Sequence, residues 1–118
     1  MNKPIRFDAG SESIAVEHGF SARAIPLQRD PPEPIEGAIF GVAEMSENSP
    51  HAGERHPDGD EILYLISGQV RVVLLESDDP DIDLAPGDGL LVPKGIWHRV
   101  DILESSGVYL YYCSHTGF

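Results

Sequence analysis

The sequence predicts an all-β fold, a sandwich or small barrel of about eight to ten short strands. β-prone runs recur at short intervals along the chain, and turn-forming residues separate them. Twelve Gly and ten Pro interrupt the 118 residues, which is too often for long helices. Apolar residues keep a helical period for no more than about two turns anywhere. We therefore expect strands and turns throughout.

The length favours a single domain over residues 1–118, because 12.9 kDa leaves no room for a second folded unit. With 41% hydrophobic and 24% charged residues, the composition is that of a globular chain rather than a disordered one. We expect the first residues, up to about 35, to form edge strands and a loop. The core of the barrel is expected over about 37–114.

Individual strands are predicted where β-prone residues stand between turn-forming ones. Residues 21–27 are expected to form an edge strand because Pro26 cannot donate to a neighbouring strand. The proline-rich residues 30–34 are expected to be a loop, and the acidic run 76–83 a solvated turn. Gly68 separates two of the strongest runs. The further predicted strands cover residues 38–45, 61–67, 69–75, 90–92, 97–103 and 108–114.

The charge balance excludes several classes of partner. Twenty acidic against eight basic residues give a net charge of −12, which repels nucleic-acid phosphates and anionic lipid. We therefore expect no nucleic-acid partner and no membrane partner. The lone Cys113 excludes an internal disulfide and a multi-cysteine zinc site. The first residues lack the apolar stretch of a signal peptide, and no run approaches about 18 apolar residues, so a cytoplasmic protein is expected.

Candidate ligand chemistry begins in the turn-rich segment before residue 61. Glu54 and His56 are two residues apart, so on an extended segment both side chains point to the same face. The turn-forming residues 57–60 separate His56 from Glu61, and a chain reversal there would bring these two side by side. Glu61 shares its face with two leucines, so its carboxylate is aimed at an apolar interior and needs a partner.

His98 is the natural second imidazole for such a site. It shares a strand face with Val100 and Ile102, which makes it a polar group among apolar ones. Imidazole nitrogen and carboxylate oxygen together are the ligand set for Fe(II), Mn, Ni or Zn, and two His with one carboxylate leave coordination positions open. The residues alone show only that such a site can be assembled.

The spacing of these residues resembles that of a known family. In a first motif, His56 is followed after four residues by Glu61, which is followed after six residues by Gly68. In a second motif, Gly, Pro, Gly and His follow one another with five, one and two residues between them. These second-motif residues are Gly87, Pro93, Gly95 and His98. Both motifs are those of the cupins, and the resemblance spans residues 54–98.

The cupin resemblance implies a double-stranded β-helix, the jelly-roll barrel of a small single-domain cupin. It also implies one divalent transition metal, with His56, Glu61 and His98 at three family ligand positions. The fourth position falls at Glu54, where the family has a histidine, and Ile102 stands where the family often has Asn. Glu54 is expected to be a fourth ligand or a general base beside the metal. The alternative is a solvated carboxylate or an ion pair.

The remaining histidines and the last strand carry weaker expectations. His51 is close enough in sequence to line the mouth of the site, whereas His18 and His115 are expected on the surface. Tyr109, Tyr111 and Cys113 share one strand face, for which core packing is the first interpretation. Alternatively, one of the two tyrosines presents its hydroxyl to the cavity. Cys113 is expected to be a small buried apolar residue rather than a nucleophile.

The resemblance implies a metal-dependent enzyme acting on a small organic molecule. Family members include dioxygenases, isomerases and lyases that act on sugars, organic acids or aromatic compounds. The alternative is a non-catalytic cupin that binds or senses a small molecule, which the replacement at Glu54 favours. A third interpretation, a structural interaction domain, has only the acidic surface in its favour. A homodimer is also expected, with Ile62, Tyr64 and Ile66 at the contact.

Overall fold

The computed structural model describes residues 3–27, 35–48 and 53–114. The loop predicted over 30–34 lies outside these residues. A single 3₁₀ turn, His18–Phe20, accompanies the strands, and no helix among the described residues is long and apolar enough to cross a membrane. The strands are β1 Glu12–Glu17, β2 Ala22–Pro26, β3 Gly37–Met45, β4 Glu61–Leu74, β5 Ile82–Leu84, β6 Gly89–Val92 and β7 His98–Ser114. The all-β prediction is confirmed.

The strands are fewer and longer than the sequence suggested. The two runs predicted on either side of Gly68 form one continuous strand, β4, and the runs 97–103 and 108–114 join in β7. The described part of the chain therefore has seven strands, not eight to ten. The acidic run was also only partly a turn, because its last residues begin β5, where Asp83 pairs with Arg71 across the strands.

The strands form antiparallel pairs in the order β2-β1-β3-β7-β4-β5, and β6 also pairs with β4. Strand β2 is at the end of this order, in agreement with the edge strand predicted from Pro26. The longest pairing joins β4 to β7, from Ile62 opposite Tyr112 to Leu74 opposite His98. The two strands that carry Glu61 and His98 are thus neighbours along almost their full length.

A bulge at Gly68 lets this pair of strands close a core. The register shifts on both sides of Gly68, and its φ of 82° is in the left-handed region. Before the bulge the buried apolar residues are Leu63 and Leu65, whereas after it they are Val70 and Val72. All four belong to one buried cluster. The two halves of β4 therefore face a common interior, as a barrel requires.

A second buried cluster lies under the N-terminal strands. It is formed by Ala15, Ile25, Ile35, Ile39 and Cys113. Tyr111 packs against both clusters and joins them. The polar residues Glu61 and His98 are buried at the first positions of β4 and β7, beside the first cluster.

Candidate metal centre

Backbone hydrogen bonds hold Glu54 against the start of β7. The amide of Glu54 donates to the carbonyl of His98 at 2.8 Å, and the amide of His98 donates to the carbonyl of Glu54 at 3.0 Å. Gly53 permits this approach, since a Cβ there would meet Leu75 and the carbonyl of His98. The bridge places the side chains of Glu54 and His98 side by side.

The segment between His56 and Glu61 is fixed by the second motif. The amide of Gly95 donates to the carbonyl of His56 at 2.9 Å, and the amide of Lys94 donates to Oδ1 of Asp60 at 2.9 Å. Residues 57–59 turn the chain, as the sequence predicted, and Glu61 then begins β4. Imidazole and carboxylate meet there, with Nε2 of His56 3.5 Å from Oε2 of Glu61.

The four residues predicted as ligands come together. Nε2 of His98 is 2.6 Å from Oε1 of Glu61, and Oε1 of Glu54 lies 3.8 Å from Nε2 of His98 and 3.9 Å from Nε2 of His56. One ligand atom from each residue can be chosen so that all four lie within 4.8 Å of one another. His56, Glu61 and His98 are 4%, 3% and 1% exposed, whereas the side chain of Glu54 is 31% exposed.

Opposite charges stabilise each other in this buried cluster. Burial alone would lower the pKa of His56, but contacts with Cys113, Glu54 and Glu61 outweigh it and raise this pKa to about 12. The pKa of His98 is also raised, because its contact with Glu61 outweighs burial. Burial opposes the charged form of Glu61, but hydrogen bonds from both imidazoles lower its pKa overall. The charged forms of His56, His98 and Glu61 therefore stabilise one another.

His98 is held in the orientation that a ligand needs. Its Nδ1 donates to the carbonyl of Ile96 at 2.9 Å, so Nε2 is the nitrogen that faces Glu61 and Glu54. When Nε2 loses its proton, its lone pair points into the cluster. The backbone thus selects the tautomer that binds a metal through Nε2.

The cluster fits a divalent transition metal. It offers two imidazole nitrogens and two carboxylates, which are ligand types for Fe, Mn, Ni and Zn. The imidazole nitrogens lie 2.6–3.9 Å from carboxylate oxygens, and one ligand atom from each residue lies within 4.8 Å of the other three, so the four side chains are close enough to converge on one ion. Two carboxylates also balance the charge of a divalent ion, so an ion would replace the imidazole protons without leaving a buried net charge.

Strand β7 adds two phenols and a thiol to the inner face. Tyr109 donates its hydroxyl to Sδ of Met45 at 3.4 Å. Burial raises the pKa of Tyr109, and the negative charges of Glu54 and Glu61 raise it further. Burial likewise raises the pKa of Tyr111, with smaller contributions from Cys113 and Glu54. Both hydroxyls therefore keep their protons near neutral pH.

Cys113 borders the cluster, which the sequence did not reveal. Its thiol is buried and interacts with His56, which opposes the increase in pKa that burial causes. His56 is far from Cys113 along the chain and lies in the segment before β4. The expectation of a small buried residue agrees with the structure. The role of Asp60 was not predicted either. Its side chain accepts the hydrogen bond from the amide of Lys94 that fixes the loop before Glu61.

The other histidines are placed as follows. His18 is exposed in the 3₁₀ turn, as expected. His51 and His115 lie outside the described residues, so their predicted positions stay predictions.

Comparison with known proteins agrees with this geometry. The family model of the cupin domain matches residues 41–112. No curated protein matches the chain. A cupin superfamily protein from Desulfitobacterium hafniense is 21% identical, with a TM-score of 0.56 over 65% of this chain and 66% of that one.

Two solved enzymes share the fold at lower coverage of their own length. The DMSP lyase DddQ from Ruegeria pomeroyi is 21% identical, with a TM-score of 0.55 over 65% of this chain and 38% of that one. Fe(II)-HppE with an alternative substrate is 15% identical, with a TM-score of 0.53 over 64% of this chain and 42% of that one. At this identity the similarity shows a common fold.

Proposed function

Because the chain belongs to the cupin family, we propose that it is a metal-dependent enzyme acting on a small organic molecule. The observation that carries the proposal is the convergence of Glu54, His56, Glu61 and His98, three of them buried. Buried groups that titrate and face one another in this way are costly to keep unless they serve a site. An iron-containing enzyme and a lyase among the proteins of similar fold support the same proposal.

The proposed cofactor is one divalent transition metal, Fe, Mn, Ni or Zn, held by His56, Glu61 and His98 with Glu54 as the fourth group. When bound, it would act as a Lewis acid or as a site for O₂. A second carboxylate in place of an imidazole makes the ligand set harder, which favours Mn or Fe among these ions. The proposed reaction is that of a dioxygenase, isomerase or lyase, and the proposed substrate is a sugar, an organic acid or an aromatic compound.

The protein's own groups have distinct roles in this proposal. Glu61 is fixed between both imidazoles, so it acts as a ligand only. Glu54 is partly exposed and farther from both, so it can either ligate or take a proton from a bound substrate as a general base. A Glu54→Gln variant separates these roles. Loss of metal means ligation, and retained metal with lost turnover means proton transfer.

The proposed activity is tested by turnover of a panel of sugars, organic acids and aromatic compounds, with and without O₂. We expect turnover that disappears after treatment with EDTA and returns with Fe²⁺ or Mn²⁺. His98→Ala should be inactive, whereas His18→Ala should be active because His18 is exposed and away from the cluster. Turnover that persists without metal would contradict the proposal.

A non-catalytic binding protein is the second candidate, and Glu54 is the observation that favours it. A carboxylate here departs from the histidine of the family pattern and can weaken the hold on the metal. This candidate predicts thermal stabilisation by a sugar or organic acid in a protein that retains no metal after reconstitution. Retained metal together with turnover would eliminate it.

We also propose that the chain forms a homodimer through the outer face of its antiparallel sheet. Ile62, Tyr64 and Leu91 on this face are 50%, 43% and 61% exposed. Paired residues share a face, so two apolar rows cross the sheet. The rows are Leu91–Ile62–Tyr112–Phe40–Ile14 and Tyr64–Leu110–Val42. In a chain with a net charge of −12, two copies meet with least repulsion where such rows lie.

The dimer is tested by the molar mass in solution from light scattering. We expect twice the 12.9 kDa of one chain for the wild type and the monomer mass for Ile62→Lys. Phe20→Lys is the matched control, because Phe20 is 90% exposed but lies in the 3₁₀ turn, away from the sheet face. A monomeric wild type would refute the dimer without affecting the metal proposal.

A further inference from the structure

Two of the four candidate ligands lie in a segment that belongs to none of the strands. Residues 53–56 precede β4 and carry Glu54 and His56, whereas the other two ligands begin β4 and β7. Backbone hydrogen bonds tie this segment to His98 and Gly95. A ligand has to be held in place by its surroundings, so any further contact that fixes the segment bears on the metal centre.

Arg55 attaches the segment to the barrel on the face away from the ligands. It stands between Glu54 and His56 in the chain, and successive side chains of an extended segment point to opposite faces. The antiparallel bridge at His98 makes Trp97 the residue opposite Arg55. The guanidinium carbon of Arg55 lies 5.0 Å from the centre of the Trp97 ring, within the range of cation–π attraction.

Trp97 is a firm support for this contact. Its carbonyl accepts a hydrogen bond of 2.9 Å from the amide of Leu75, which directly follows β4. The residue after Trp97 is His98, the first of β7. Trp97 is half-buried, whereas Arg55 is exposed. Trp97 therefore belongs to the frame of the two long strands, and Arg55 joins the ligand-bearing segment to that frame.

We propose that Arg55, stacked on Trp97, is a positioning residue of the metal centre. The stack holds residues 53–56 so that Glu54 and His56 stay directed at the ion, and the arginine itself contacts neither ion nor substrate. The inference rests on the proposed metal-dependent function. A cation–π contact at an exposed position changes an equilibrium about two- to fivefold, which sets the size of the expected effect.

The charge of Arg55 separates this role from a purely electrostatic one. A cation beside a metal site repels a divalent ion, so its removal should strengthen metal binding if charge alone mattered. Loss of the stack should weaken metal binding instead, because the two ligands of the segment are then less well fixed. In about 0.5 M KCl the repulsion is largely screened, which leaves the effect of the stack.

The contact itself is tested in the metal-free protein by amide hydrogen exchange. In Arg55→Gln we expect the amides of Glu54 and His98, which bond each other's carbonyls, to exchange about two- to fivefold faster. The amide of the buried Val72 should exchange as in the wild type. Arg23→Gln is the matched control, since it removes the same charge from an exposed ion pair on β2.

Unchanged exchange of the two bridge amides in Arg55→Gln would overturn the proposal. An equal increase in Arg23→Gln would overturn it too, because the effect would then follow from net charge.

The positioning role is tested by the dissociation constant of Mn²⁺, measured by electron paramagnetic resonance of the free ion in about 0.5 M KCl. Arg55→Gln should bind Mn²⁺ about two- to fivefold more weakly, and Arg23→Gln should bind it like the wild type. Arg55→Lys keeps a cation over the ring, so its affinity should lie between those of the wild type and Arg55→Gln.

A double-mutant cycle identifies Trp97 as the partner. Trp97→Leu keeps an apolar side chain but removes the aromatic face, so Arg55→Gln should have no further effect on Mn²⁺ binding in that variant. Additive effects would refute the stack as the cause, and unchanged or tighter Mn²⁺ binding by Arg55→Gln would refute the positioning role. A wild type that binds no Mn²⁺ would instead refute the proposed function, and the exchange rates would then decide whether the stack fixes the segment.

Discussion

Glu54 and Glu61 face the same two imidazoles but differ in how firmly they are held. Glu61 is buried and 2.6 Å from Nε2 of His98, whereas Glu54 is 31% exposed and more than 3.5 Å from either ring nitrogen. A buried charge is strongly coupled to its partners because water does not screen it. The two carboxylates should therefore respond differently to the same substitution.

Replacing Glu61 should cost much more stability than replacing Glu54 in the metal-free protein. Glu61→Gln leaves two buried imidazoles without their main counter-charge, and we expect a loss of about 3 kcal/mol in the free energy of unfolding. Glu54→Gln should cost less than about 1 kcal/mol because its partners are distant and it is partly solvated. Urea denaturation of both variants measures the difference. Equal losses would contradict the tight coupling assigned to Glu61.

The titrating groups of the cluster predict how stability varies with pH in the metal-free protein. The pKa values of His56 and His98 are raised from 6.5, so their contribution is complete below pH 6.5 and is lost as pH rises through the folded values. The pKa of Glu61 is lowered from 4.5, so its contribution is present above pH 4.5 and is lost as pH falls. The cluster therefore stabilises the fold most between pH 4.5 and pH 6.5.

Bound Mn²⁺ should stabilise the protein more as pH rises, which is opposite to the effect of the imidazole protons in the metal-free protein. The reason is that the ion must displace these protons to bind. We expect the metal to increase the melting temperature more at pH 8 than at pH 6. Calorimetry with and without Mn²⁺ measures this, and His98→Ala serves as the variant in which the metal should have no effect. An equal increase at both pH values would mean that the ion binds elsewhere.

At the level of elements, the site depends on β4 and β7 staying paired through the bulge at Gly68. Glu61 and His98 begin these strands from opposite ends of the pair, so they meet only because the pair folds over a common core. At Gly68 the Cβ of another residue would meet the carbonyl of Ser106, and the φ of 82° adds strain.

Gly68→Ala should therefore destabilise the fold more than the conformation alone explains. Gly19 has the same φ of 82° but nothing within 4 Å of its added Cβ, so Gly19→Ala isolates the conformational cost of roughly 1–2 kcal/mol. We expect Gly68→Ala to cost at least about 1 kcal/mol more because the backbone must shift. Urea denaturation compares the two. Equal costs would show that the bulge relaxes without strain.

Polar residues on apolar strand faces predicted Glu61 and His98 as candidate ligands from the sequence. The full set of four, with Glu54 and His56, followed from the resemblance of the motif spacing to that of the cupins. Continuity of β4 was not visible, since a glycine with positive φ can either end a strand or bulge within it. Cys113 was missed as a neighbour of His56 because that contact depends on the register of β7, which local sequence does not encode. The contact between the Tyr111 ring and the backbone of Gly41 depends on the same register, so it could not be predicted either.

For the whole molecule, we predict that the fold does not depend on a bound metal. Two apolar clusters hold the strands together, and the candidate ligands occupy one side of the first cluster. The free energy of folding therefore comes from apolar burial, and the ion adds only its binding energy. A variant without an imidazole should lose metal but keep its β structure. The cytoplasmic location stays a prediction.

The most direct test of the account is elemental analysis of the protein purified without a histidine tag, comparing wild type, His98→Ala and His18→Ala. Circular dichroism verifies that all three are folded. We predict near-stoichiometric iron, manganese, nickel or zinc in the wild type and in His18→Ala, and none in a folded His98→Ala. Full metal content in His98→Ala, or no metal in the wild type even after reconstitution, would contradict the metal centre proposed here.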